Sequence, residues 1–204
     1  MQTGHKYPNY FTVDSSPWGV SFGHWTVRWW RWALNIPTSK NPLVDQTGDN
    51  AYVNQRKDVW FLAGKPADCQ HTVPNRQCNV PAGTSILFPI INCEANKLEY
   101  PELDKNGLID NVINHMELIR RKECIIDGNM VPVQHIPSDP EIFQIQINSE
   151  NIFGIPKGGS TIASADGYWV FLKPLELGEH VIKFYGSCSA GARFSGSKYV
   201  LNVY

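Results

Sequence analysis

Between Trp18 and Trp32 the apolar positions fall at Trp18, Phe22, Trp25, Trp29 and Trp32. Steps of four, three, four and three trace one face of an α-helix. Trp30 and Leu34 widen that face, Trp30 lying off its centre. Ser21, His24, Arg28, Arg31 and Asn35 form a second, polar stripe. Ser16 suits the N-cap, Pro17 suits the first helical position, and Ile36-Pro37 stops the run. The pattern predicts an amphipathic helix over residues 16–36, preceded by an extended arm over 1–15. Gly19 and Gly23 cost helix propensity, so they mark either close packing against another backbone or a later helix start.

Beyond the helix, residues 37–57 carry turn chemistry at Pro37, Asn41-Pro42, Thr47-Gly48 and Asp49-Asn50 and predict loops. Continuous apolar runs predict buried strands over 59–63 and 85–93, with Pro89 marking an edge or a bulge. Asp104 caps a helix over about 107–122 whose apolar positions are Ile109, Val112, Ile113, Met116 and Ile119. Asp127-Gly128 predicts a two-residue hairpin. Phe143, Ile145 and Ile147 alternate with Gln144 and Gln146, the period of a half-buried strand. Three further strands are expected over 168–172, 180–185 and 199–204, with turns from Gly178 and the 186–197 stretch. Seven or eight short strands and two helices that do not alternate with them point to an α+β, mainly β fold. Its body is an antiparallel β-sandwich, jelly-roll or immunoglobulin-like (Ig-like), with the tryptophan helix packed across a sheet or an end. The 204 residues form a single domain, with a β-rich body over 58–204.

Composition supports short strands and loops: 42% of residues are apolar, 18% are charged, and glycine and proline number 16 and 14. A net charge of −1 argues against a general electrostatic grip on nucleic acid. No apolar run approaches the roughly 20 residues that span a bilayer. The first residues lack the basic start and apolar stretch of a signal peptide. The protein is therefore either cytoplasmic or a mature secreted form. Cys69 and Cys78 flank a short polar segment that would close as a hairpin, and a disulfide between them is expected. Cys93, Cys124 and Cys188 are left without an assigned pairing.

The chain also resembles a family of uncharacterised, often secreted prokaryotic proteins. The resemblance is carried by Trp25, Trp29-Trp30 and Trp32, then Asn41-Pro42, Asp45, Thr47-Gly48, Gln55 and the VWFLAG segment at 59–64. It continues through Cys78, the VPAG segment at 80–83, ILFPIIN at 86–92, and Asp166-Gly167-Tyr168-Trp169. It closes with Pro174-Leu175, Gly178, His180, Ile182 and Phe184. It implies a secreted, β-rich protein and brings no activity with it.

Candidate chemistry is sparse. Asp45, Thr47, Asp49 and Asn50 place hard oxygen ligands at alternate positions, as calcium loops do, but without the later bidentate glutamate. Asx-type turns explain the same residues. Cys69, His71 and Cys78 offer three soft ligands where structural zinc wants four. Glu94 follows a buried strand and, with Glu99, Glu102 and Asp104, forms an acidic cluster that reads either as a solvated loop or as paired carboxylates for glycoside chemistry. His24 is the other catalytic candidate. His24, Arg28 and Arg31 form a stripe suited to an anion, and Trp30 is the aromatic candidate beside it.

Three functions follow. The first is a non-catalytic extracytoplasmic binding or structural protein, monomeric or homo-oligomeric, with no ligand or partner identified. The second is a hydrolase with a carboxylate and histidine site near Glu94. The third is a calcium- or zinc-binding module. No cofactor is expected beyond calcium at the Asp45 loop.

Overall fold

The computed structural model describes residues 9–188 and 193–204. Residues 1–8 of the expected arm and 189–192 of the expected final turn lie outside the described residues. Two helices, α1 (Phe22–Asn35) and α2 (Lys105–Glu117), join eleven strands in an α+β, mainly β fold. The strands are β1 (Val59–Phe61), β2 (Lys65–Asp68), β3 (Asn75–Val80), β4 (Ser85–Asn96), β5 (Ile119–Ile126) and β6 (Asn129–Met130). They continue with β7 (Gln134–His135), β8 (Phe143–Ile147), β9 (Gly159–Leu172), β10 (Gly178–Cys188) and β11 (Phe194–Val203).

They form two sheets. The first has the order β1-β4-β9-β7, with β8 also on β9; the second has the order β2-β11-β10-β5-β6, with β3 also on β11. Most pairings are antiparallel. The exceptions are β1 beside β4 and β3 beside β11, which run parallel and make both sheets mixed. Parallel neighbours need a crossover, and here the chain leaves the first sheet after β1, lays β2 and β3 on the second, and returns as β4.

The sheets pack face to face through Ile86, Phe88, Ile90, Val170 and Leu172 of one and Ile126, Ile182, Phe184 and Leu201 of the other. The opposite face of the first sheet is covered by α1, whose Trp25, Trp29, Trp30 and Trp32 join Phe61, Trp169 and Phe171 in a second core. Each buried tryptophan removes about 150–250 Å² from water, roughly 4–6 kcal/mol of gross transfer free energy. β4 and β9 run on past the second sheet, and α2 covers that extension through Leu108, Val112 and Met116. Among the described residues no helix is long and apolar enough to cross a membrane.

The expected helix over 16–36 begins later. Pro17–Gly19 make a short 3-10 turn in which Trp18 takes φ 55° and ψ 33°, a left-handed conformation that ends any continuous helix. Ser21 is the true cap, its hydroxyl accepting from the His24 amide at 3.1 Å. Gly23 answers the packing alternative: a Cβ there would lie 2.7 Å from the Asp139 Cβ and 2.8 Å from the Pro137 carbonyl oxygen. Asp104 does cap α2, accepting from Gly107 N at 2.8 Å, but the helix ends at Glu117 and residues 119–126 become β5. Its buried face is Leu108, Val112 and Met116, leaving Ile113 exposed. The Asp127-Gly128 hairpin forms as read, with Ile126 paired to Asn129.

Candidate functional site

The outward side of α1 carries His24, Arg28, Arg31 and Asn35, as the polar stripe requires. The Arg28 guanidinium lies 4.4 Å from the centroid of the Trp25 ring. Arg56, from the loop before β1, approaches the same ring at 5.7 Å. Burial first, then the charges of Arg56 and Arg31, pull Arg28 below its ordinary value. The neighbours that act on this cation are therefore other cations. Among the described residues none of Arg28, Arg31 or Arg56 belongs to an ion pair. Arg31 is turned aside, its Nε donating to the Gln144 carbonyl at 2.9 Å. There it lines an open groove of about 360 Å³ with Asn35, Gln144, Gln146 and Ser160.

Beside this cluster stands Trp18, 51% exposed. Its ring sits 5.6 Å from Trp25 and 6.1 Å from Phe11, and Lys173 Nζ lies 5.4 Å from the Phe11 ring. Trp30, the expected aromatic contact, is 5% exposed and belongs to the core. The helix buries a wider arc than its apolar line suggests, because the sheet and the flanking loops enclose it from both sides. Trp18 takes the exposed position instead, since its left-handed backbone takes it off the helical face.

The second candidate lies at the far end of β4. Register with β9 places Asn92, Glu94 and Asn96 opposite Gly167, Ala165 and Ala163, on the α1 side of the sheet. Asn96 Nδ2 donates to Glu99 Oε2 at 2.5 Å and to Glu94 Oε2 at 3.4 Å. Glu94 Oε1, Asn92 Nδ2 and the indole nitrogens of Trp169 and Trp30 are buried and have no partner. Burial and then the nearby Glu99 carboxylate push Glu94 up to about 8, against the opposing bond from Asn96. Glu99 is raised as well, chiefly by burial. A carboxylic acid neutral at pH 7 in an apolar layer is the kind of group that supplies general acid chemistry.

The histidine expected to join Glu94 is elsewhere: His24 is on the outward face of α1. The nearest histidine–carboxylate pair is separated from Glu94 by the strand itself. Asp166 is opposite Cys93, on the other face of the ladder, and both its oxygens approach His135 Nε2, at 2.9 and 3.0 Å. His135 stacks on Tyr168 at 4.9 Å. Cys93, next in line, has its thiol raised by burial, by Asp166 and by Glu94, and is no nucleophile. His180 is fully used, with Nδ1 at 2.6 Å from Asp127 Oδ2 and Nε2 at 3.0 Å from the Glu176 carbonyl.

The Asp45 loop satisfies itself. Asp45 Oδ1 accepts from Thr47 N at 2.9 Å, Oδ2 accepts from Asn50 N at 2.8 Å, and Thr47 Oγ1 donates toward Asp49 Oδ2 at 2.7 Å. Burial pulls the Asp45 carboxyl upward, but the amides of Asn50, Thr47 and Gly48 and the Thr47 hydroxyl outweigh it and hold it below the ordinary range. Gly48, at φ 96°, is pressed against Gln77, whose carbonyl oxygen would lie 2.2 Å from a Cβ. Arg76, which sequence reasoning missed, anchors the loop from beneath: Nε donates to the Asp45 carbonyl at 2.7 Å and Nη2 to the Leu43 carbonyl at 3.2 Å. With the oxygens already committed to amide donors, added calcium is expected to leave the thermal midpoint unchanged. A rise of several degrees, reversed by a chelator, is the contrary result. Among the described residues no group of three or more His, Cys, Asp or Glu is placed to share an ion.

The expected Cys69–Cys78 bridge is absent, and all five cysteines are unpaired. The segment between them is no hairpin. β2 and β3 occupy the same edge of β11, with Asp68 opposite Phe194 and Cys78 opposite Leu201. At ~3.3 Å per residue the seven residue steps from Phe194 to Leu201 separate Asp68 from Cys78 by about 23 Å, and Cys69 lies beyond Asp68, far outside disulfide reach. Burial raises the Cys78 and Cys124 thiols to about 12.

Comparison of the chain with protein-family models, with curated proteins and with solved structures finds no match in any of the three.

Proposed function

We propose that this chain is a non-catalytic, extracytoplasmic binding protein that holds an anionic partner on the outward face of α1. The observation that carries the reading is the Arg28 cluster: the Arg28 and Arg56 guanidinium groups share the Trp25 ring, Arg31 adds its charge from the next turn, and among the described residues no carboxylate is paired to any of them. Like charges gathered at one place repel, and an anion between Arg28 and Arg56 relieves that repulsion. The overall charge of −1 makes this a local feature of one surface and not a property of the whole chain. Four buried tryptophans support the helix from below, and one of them, Trp25, lies under both Arg28 and Arg56. The extracytoplasmic assignment rests on the resemblance to often-secreted prokaryotic proteins.

Calorimetric titration with dextran sulfate and polyphosphate tests the reading. The wild type is expected to bind both, more weakly as salt screens the exposed charges over about 10 Å at 0.1 M. Arg28→Ala and Arg56→Ala are each expected to weaken binding about tenfold, the equivalent of one charge-assisted hydrogen bond. Arg56 is exposed in a loop, so its loss leaves the fold intact. Unchanged affinity in both variants would falsify the proposal.

A second reading, a hydrolase with Glu94 as its acid, is supported by the neutral carboxyl at pH 7. It predicts that Glu94→Gln removes whatever hydrolytic activity a broad substrate screen detects in the wild type.

A further inference from the structure

We infer that the anionic partner is an acidic polysaccharide, one of whose sugar rings stacks on Trp18. This rests on the anion-binding reading above and narrows it.

Trp18 is the one exposed tryptophan of the seven, all of them among the described residues. It is also the one held in a left-handed backbone conformation, which a bulky side chain adopts only when its surroundings impose it. Those surroundings are aromatic: Phe171 lies stacked against the ring at 6.4 Å and 29°, and two aromatic edges close on it. Trp25 meets the ring at 5.6 Å and 70°, and Phe11 meets it at 6.1 Å and 60°. The indole is thus braced from behind and presented to solvent. The ring is held in place and yet half exposed, which leaves it open to a ligand's contact.

Cations frame it. Arg28 and Arg56 lie over the neighbouring Trp25, and Lys173 lies over the neighbouring Phe11. The ligand that fits such a frame is a flat, uncharged-faced ring with anionic substituents at its margin. A uronic acid or sulfated sugar has this form: its C–H face meets the electron-rich indole face, and its carboxylate or sulfate reaches a guanidinium. A single-stranded nucleic acid also stacks and carries charge, but its sites provide successive aromatic platforms along a basic groove. One exposed indole whose two aromatic neighbours carry three cations matches a sugar residue better than a run of bases.

Titration calorimetry with polygalacturonate, dextran sulfate, neutral dextran, polyphosphate and single-stranded poly(dT) separates the cases. Trp18→Ala is expected to weaken both acidic polysaccharides about tenfold, the worth of one aromatic contact, and to leave polyphosphate within about twofold of wild type. Trp18→Tyr keeps a stacking ring and is expected to retain most of the affinity. The Arg28→Ala/Arg56→Ala double variant is expected to lose the polysaccharides and polyphosphate together. If Trp18→Ala and wild type bind polysaccharide alike, or if poly(dT) binds more tightly than polygalacturonate, the sugar assignment is overturned while the anion reading stands. If wild type binds none of the polyanions, both fall. A thermal melt of Trp18→Ala within a few degrees of wild type shows that the loss is one of contact and not of fold.

Discussion

Replacing Arg76 with methionine is expected to lower the unfolding free energy by about 3–5 kcal/mol, a large share of the 5–15 kcal/mol typical of a domain. Arg76 is fully buried and has no carboxylate partner among the described residues. Its charge is held by the carbonyls of Leu43, Asp45 and Ala63 and by the Tyr199 hydroxyl, which lies 3.0 Å from Nη1. These carbonyls belong to the 41–50 loop and to the segment after β1, while Arg76 itself is in β3 and Tyr199 in β11. One side chain therefore ties the loop and the edge of the first sheet to the second sheet. Methionine keeps the apolar stem but strands the Leu43 and Asp45 carbonyls, each at a cost of about 1–3 kcal/mol, while the Ala63 carbonyl keeps the Tyr199 hydroxyl. Lysine keeps the charge and loses the fork, so it is expected to fall between the two. Urea unfolding followed by tryptophan fluorescence measures both variants. A midpoint for Arg76→Met indistinguishable from wild type would show that the carbonyls find other donors.

The same residue explains why β3 was illegible in the sequence. Its inward positions are Arg76, Cys78 and Val80, so an arginine stands where an apolar residue would have announced the strand. The segment reads as a polar loop, and the disulfide expected across it follows from that misreading. The first half of β9 was hidden for a different reason. Ala163 and Ala165 are small because large tryptophans of α1 fill the layer above them, and small residues carry little periodic signal. The helix itself was legible, since a 3.6-residue period written in tryptophan is hard to mistake. Its fine detail was not. Extending the period back to Trp18 counted an exposed ring as core, and centring the face on Trp25 and Trp29 counted the buried Trp30 as a contact residue. The cationic stripe was readable from His24, Arg28 and Arg31, but Arg56 reaches it from a loop distant in sequence and Lys173 flanks the Phe11 ring beside Trp18, and only the fold brings these groups to one surface. Likewise the sequence placed Glu94 near His and Asp partners, and the two-residue period of β4 and β9 put the His135–Asp166 pair on the opposite face.

Glu94→Gln is expected to remove a pH dependence of stability that wild type shows between about pH 4.5 and pH 8. In the unfolded chain this carboxyl ionises near 4.3, whereas in the fold it holds its proton up to about 8. Between those values the unfolded state carries fewer protons than the native state, so each rise in pH favours unfolding. The contribution is fully present below the unfolded value and is lost as pH rises through the folded one. The residue keeps some exposure although Oε1 is sealed, which trims the effect to on the order of 2–4 kcal/mol across the interval. Glutamine is neutral throughout and offers Asn96 Nδ2 the same acceptor. The variant should match wild type near pH 4 and exceed it by that margin near pH 8, with a smaller slope remaining from Glu99. Taking the difference between the two proteins at each pH cancels carboxylates such as Asp45, which are held low and lose their stabilising effect only in acid. Parallel stability curves for the two proteins, measured by urea unfolding at a series of pH values, would mean that the Glu94 carboxyl is ionised in the fold and meets solvent or a cation there. The neutral-acid premise of the hydrolase reading would fail with it, while the Arg28 surface would be untouched.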